Sequence, residues 1–124
     1  MSFATDTYTL LAGNGPIAAK VGTRISPYAR NPNDDFPAIV FQIAREEIET
    51  DAAGADLMRI ATVEITCMDR TYLEADTLAE LVITAIRGRT AARSLTIDRD
   101  YGDPYDGSSE LVYRATVTAT LAGS

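Results

Sequence analysis

The chain has 124 residues, 46% hydrophobic and 23% charged, a composition that suits one globular domain over 1–124 and argues against disorder. Eleven Lys and Arg against 18 Asp and Glu leave a net charge of −7, which disfavours phosphate-backbone binding, because that binding needs clustered cations. The chain has no histidine and one cysteine, Cys67, so most zinc, transition-metal and histidine-based acid–base chemistry is closed to it.

The N-terminal stretch MSFATDTYTLL carries neither a basic segment nor a long apolar one, so a soluble protein made in a cytoplasm is expected. DTYTLLAG reads as a short helix with Thr5 or Asp6 as N-cap and Gly13 as its stop. PIAAKV is a second short helix, opened by Pro16 and ended by Gly22. TRISPY is a brief extended piece, and ARNPNDDF is loop by its Asn, Asp and Pro content.

PAIVFQIARE starts a strand at Pro37 with Ile39, Phe41 and Ile43 on one face and Ala38, Val40 and Ala44 on the other, the pattern of a central strand covered on both sides. EIETDAAGAD then reads as an acidic hairpin connection, and LMRIATVEITCM alternates as a half-buried strand containing Cys67. In TYLEADTLAELVITAIRG, Thr71 and Glu74 form a capping box, and Tyr72, Ala75, Leu78, Ala79, Val82 and Ile86 make an apolar stripe, so a long amphipathic helix is expected over about 71–88. SLTIDRDY and ELVYRATVTATLA are the last two strands, the second alternating Leu111, Tyr113, Ala115, Val117, Ala119 and Leu121 with polar residues. The expected fold is therefore α+β: a mainly antiparallel sheet packed against one long helix, with a short N-terminal helical pair.

DRDYGDPYDGSSE, between the last two strands, holds five acids, two tyrosines and two glycines. A calcium loop started at Asp98 would put Gly102 at position 5, Asp103 at 6 and Ser109 at 12, so Glu110 misses the bidentate position by one residue. A solvated hairpin reversal needs no metal, and none is expected here or elsewhere. GNGPIA, Gly13 to Ala18, spells the dinucleotide fingerprint, but Gly22 stops the following helix too early for a crossover, so no cofactor is expected. Asn33, Asp34 and Asp35 read as solvated loop, and Ser108 and Ser109 have no histidine to activate them, so no catalytic residue stands out. Tyr101 and Tyr105 are of the type that anchors protein contacts.

The N-terminal helical pair ending in KVGTRISPY, the strand FPAIVFQI, the long alternating strand, the capped helix YLEADTLAELVITAI and the closing hairpin together resemble the tail completion, or tail terminator, proteins of long-tailed bacteriophages. The resemblance runs from about Thr7 to Leu121 and includes the Gly22, Arg24, Ile25 step. It implies a virion protein, not an enzyme, that forms a homo-hexameric ring on the head-proximal end of the tail tube. Such a ring stops tube growth, offers the head connector or head-closure protein a docking face, and lets DNA pass through an acidic lumen without specific binding.

Two acidic segments are the expected contacts with other subunits and partners. One is the Glu46 to Asp56 connection, with Glu46, Glu47, Glu49, Asp51 and Asp56. The other is the Asp98 to Glu110 loop, with Asp98, Asp100, Tyr101, Asp103, Tyr105 and Asp106. Both are read as charged loops on a rigid sheet. Other readings of the same residues are a tube subunit or head-closure ring, a calcium-stabilised binding module, and a small carboxylate enzyme.

Overall fold

A computed structural model describes residues 3–30, 35–50, 52–54, 56–88, 93–102 and 112–123. Its elements are helices α1 (Phe3–Ala12), α2 (Gly15–Val21) and α3 (Tyr72–Arg87), and strands β1 (Ile25–Pro27), β2 (Ala38–Thr50), β3 (Asp56–Asp69), β4 (Arg93–Tyr101) and β5 (Tyr113–Gly123). The strands form one mixed sheet in the order β1-β2-β3-β5-β4, antiparallel except for the β1–β2 pair.

The period of two in the strands decides which side chains meet the helices. Ala61, Val63, Ile65 and Cys67 of β3 stand opposite Leu121, Ala119, Val117 and Ala115 of β5, and all eight are buried in one cluster with Ile39 and Phe41. Leu78, Ala79, Val82, Ile83 and Ile86 of α3 close that cluster. The cap expected at Thr71 is present: its Oγ1 accepts from the Glu74 N–H at 3.2 Å, which satisfies a donor the first helical turn leaves free.

The helical layer is not one long helix. Phe3 and Leu11 of α1 and Ile17 and Val21 of α2 enter the same cluster, so three helices share the face. Helix α1 begins at Phe3, ahead of the Thr5 and Asp6 caps expected from sequence, because burial of Phe3, Thr7 and Leu11 at four-residue steps carries the helix one turn further back. The α1–α2 joint is set by Asn14, whose Oδ1 accepts from the Ile17 N–H at 3.1 Å. Gly22 ends α2 at φ 57°, in the left-handed region. Just beyond, Arg24 donates to the carbonyls of Pro37 (2.8 Å) and Lys20 (3.1 Å), tying the end of α2 to the entry of β2.

Strand β2 is not central; β3 holds that place. β1 pairs with β2 only from Ile39 to Phe41 and ends at Pro27, which has no N–H to continue a ladder. The second covered face read for β2 exists at its first turn of pleat alone, where Ala38, Met68 and Val112 pack with Phe36 and Val40.

Candidate protein-interaction surfaces

The ladder of β2 with β3 runs from Ala38↔Met68 to Thr50↔Asp56, well past the end of β1 on one side, while β5 reaches β3 only as far as Arg59. Only the last residues of the β2–β3 pair, 49–50 and 56–58, therefore extend beyond β5 as a short two-stranded arm, while residues 44–48 still lie in the sheet beside β3 residues that β5 pairs. Residues 44 to 50 of β2 are all exposed. This corrects the reading of Glu46, Glu47, Glu49 and Asp56 as members of a mobile connection, since all four are strand residues. Exposed acids are no obstacle to a strand when the backbone ladder is satisfied and cations stand nearby. Here Arg59 pairs with Glu46, and Arg45 pairs with Glu47. Gly54, at φ 89°, lies in the turn between the two strands, and Asp51 lies outside the described residues. Ile48, opposite Arg59 at the base of the arm, is a large apolar side chain left 48% exposed.

The Asp98 to Glu110 segment is likewise only partly loop. Asp98, Asp100 and Tyr101 belong to β4, opposite Thr118, Thr116 and Ala115 of β5. Asp103, Tyr105 and Asp106 lie outside the described residues. Arg99 and Tyr101 turn toward α3, and Asp98 and Asp100, by alternation, toward the other face. The Tyr101 hydroxyl donates to Asp76 Oδ1 at 2.6 Å, and its ring lies 5.1 Å from that of Tyr72 between centroids. Tyr113 meets Tyr72 edge-on at 6.5 Å. Arg99 spans Glu80 and Asp76. The bond to Asp76, and after it one with Tyr72, raises the Tyr101 pKa above the ordinary phenol value, and the bond to Glu80 raises that of Arg99. Tyr72, Leu73 and Tyr101 remain exposed together at this corner. It is a fixed aromatic patch.

The sheet face opposite the helices carries Thr62, Glu64 and Thr66 of β3 beside Thr120, Thr118 and Thr116 of β5. Thr66 and Thr116 hydroxyls sit 3.2 Å apart, and Gln42 donates to Glu64 at 2.6 Å. At the end of this face farthest from the arm lies a groove of about 370 Å³ lined by Tyr28, Arg30, Val40, Met68 and Arg114, with Ala29 on its rim. Tyr28 has φ 65° and is 71% exposed, held there by its N–H to the Phe41 carbonyl at 2.9 Å. Arg30 and Arg70 lie over Phe36 at 4.6 and 5.2 Å, and Arg70 pairs with Asp35 at 3.1 Å. The Phe36 N–H first, and Arg70 second, hold the Asp35 carboxyl below its ordinary pKa. No local pattern in the sequence points to this groove, whose lining comes from positions 28–30, 40, 66, 68 and 114.

No group of three or more metal-ligating side chains comes together among the described residues, and no described helix is long and apolar enough to cross a membrane. The GNGPIA stretch follows a helix instead of a strand, so it cannot form a strand–turn–helix phosphate cradle.

No family model matches the chain, and no curated protein matches it. Among solved structures it is similar to a chain from the virion of a native gene transfer agent particle, with TM-score 0.62 and 18% identity over 98% of both chains. The likeness is one of fold.

Proposed function

We propose that the protein is a structural component of a virion, a tail terminator that closes into a hexameric ring on the head-proximal end of a tail tube. The observation that carries this reading is the end-to-end likeness to a virion chain, 98% of each being covered with no large insertion on either side. The surfaces suit a protein that works by fitting. The acidic, exposed outer half of β2 lies at one end of the sheet, and an aromatic corner and an arginine-lined groove occupy the other, so the two ends can meet unlike partners. Tube subunits would bind one end and the connector or head-closure protein the other. Capping follows from geometry: a closed ring covers the growing surface of the tube, and no further subunit can add. The negative net charge keeps DNA from lodging in the lumen as it passes.

Interrupting the gene in particle-producing cells tests this. Tails of excess and irregular length, unattached to heads, are the expected result; tails of normal length joined to heads would refute it. A tube subunit is the second reading, favoured by the edge of β2 beyond Phe41, which pairs with no further strand among the described residues, and long filaments of the purified protein alone would select it.

A further inference from the structure

At each side of the sheet a strand edge stands without a partner among the described residues: β2 beyond Phe41, and β4 along its length. The Ile39 N–H donates to the Arg24 carbonyl and the Phe41 carbonyl accepts from the Tyr28 N–H, each at 2.9 Å, so odd-numbered residues at the start of β2 aim their peptide groups at β1. The register shift between Ile43 and Arg45 passes this role to even-numbered residues, and Glu46 and Ile48, opposite Ala61 and Arg59, aim theirs away from β3. On β4 the Gly102 N–H donates to the Arg114 carbonyl at 3.1 Å, which fixes the alternation there: Asp98 and Asp100 bond β5, while Ile97, Arg99 and Tyr101 aim their peptide groups outward. The side chains of Glu46 and Ile48 stand on the helix side of the sheet with Ala61, and those of Ile97, Arg99 and Tyr101 stand there with Ala119, Val117 and Ala115.

We infer that β4 of one copy adds to the edge of β2 of a second copy as an antiparallel strand, continuing the sheet from chain to chain with the helices on one side. This rests on the ring reading and names the contact that would build the ring. The direction follows from the ladders: β2, β3, β5 and β4 are successively antiparallel, so β4 runs opposite to β2. The register sets outward peptide groups against outward peptide groups, Glu46 opposite Arg99 and Ile48 opposite Ile97, with Arg45 opposite Asp100 on the other face. It fills residues 44 to 50 of β2 and leaves 39 to 41 to β1. The exposed Ile48 and the half-buried Ile97 then cover each other. A slip of two residues keeps the hydrogen bonds but sets Glu46 against Ile97 or Tyr101, so charge complementarity picks the register. The occupant is a second copy because the two edges match in direction, hydrogen-bond phase and charge, whereas two β2 edges would crowd the Glu46, Glu47 and Glu49 of both chains. Arg99 keeps Asp76 and Glu80, and Arg45 keeps Glu47, because a guanidinium has several N–H donors and can hold a further carboxylate. Glu47 opposite Asp98 is the one like-charged pair, and both are exposed, which keeps its cost small. The contact joins unlike edges, so each copy gives one and receives another, as a closed ring needs.

Single-cysteine chains test it. Glu47→Cys and Asp98→Cys replace exposed side chains that the register sets opposite each other without mutual hydrogen bonds, where side chains come close enough for a disulfide, and they remove the like-charged pair. Ala19→Cys, exposed on α2, serves as control. The native Cys67 is buried and does not compete. When purified E47C and D98C proteins are mixed under mild oxidation, a mixed disulfide dimer is expected to form at least about tenfold faster than from E47C and A19C, and faster than either protein pairs with itself, reflecting the high effective concentration of a docked pair. Adding Ile48→Pro to the E47C chain removes an N–H that the β3 ladder does not use, so the chain still folds while the selective rate falls to that of the control. Equal rates for the two mixtures, faster self-pairing of E47C or D98C, or a selective rate that survives I48P overturns the inference. Oligomers seen by mass photometry together with equal rates leave the ring reading standing on other surfaces. Normal tails from cells with the gene interrupted remove that reading even where the selective disulfide forms.

Discussion

The hydroxyl of Tyr101, at the end of β4, donates to Oδ1 of Asp76, one turn into α3, at 2.6 Å. The bond fastens the edge strand of the sheet to the helix on a surface where the Tyr72 and Tyr101 rings lie against each other at a tilt, yet exposed. An aromatic patch held rigid in the free chain loses little conformational entropy when a partner covers it.

Tyr101→Phe keeps the ring and removes the donor. A small loss of stability is expected, because the bond is open to water. The neutral phenol is the form Asp76 holds, so the folded pKa lies above the unfolded value of about 10. The unfolded chain then releases its proton first, and this contribution is complete below pH ~10 and is lost as pH rises through the folded pKa. Thermal melts of the two proteins should differ by a constant amount from neutral pH to about 9 and converge above about 10; a difference that grows with alkalinity would refute the assignment.

Asp35 works in the opposite sense. Its carboxyl is held below its ordinary value by the Phe36 N–H and by Arg70, so its contribution is present above the unfolded pKa and is lost as pH falls through the folded one. Asp35→Asn should melt slightly below wild type at neutral pH, and the gap should close in acid, as pH falls below the ordinary carboxylate range. The effect is small because the pair is exposed.

Strand β5 and helix α3 were legible in the sequence because one strong pattern covers each, period two from Tyr113 to Leu121 and three-to-four from Ala75 to Ile86, and burial follows both. The outer half of β2 was not. Glu46, Glu47 and Glu49 read as solvated connection, and solvated they are, but pairing with β3 makes them strand, and that pairing is a long-range fact. Tyr72 has the spacing of the apolar stripe, yet stands 48% exposed at the first turn, where it packs on Tyr101 and Tyr113 at the aromatic corner. How much of β2 runs past its neighbour depends on how soon β1 ends, and the groove on side chains brought together only by the fold. Of the expected contact residues, Asp51, Asp103, Tyr105 and Asp106 fall outside the described residues.

Leu78, fully buried in the centre of α3, and Leu73, 74% exposed five residues earlier, give a controlled pair. Leu78→Ala should cost about 2–5 kcal/mol in urea unfolding. Leu73→Ala should stay within about 0.5 kcal/mol. Equal effects would mean that α3 presents a different face to the sheet.

Burial pushes the Cys67 thiol up to about 12. A thiol reagent at pH 8 should leave the native protein unlabelled and react fully in denaturant. Rapid labelling of the folded chain would contradict the packing of β3 against the helices.

Whether the chain acts as a ring at a tail's end is settled by locating it. Gold particles bound to an epitope tag at its C-terminus, imaged on intact particles by electron microscopy, should mark a single band where the tail meets the head. Label spread along the tail, or found on none of the particles, would contradict the terminator role.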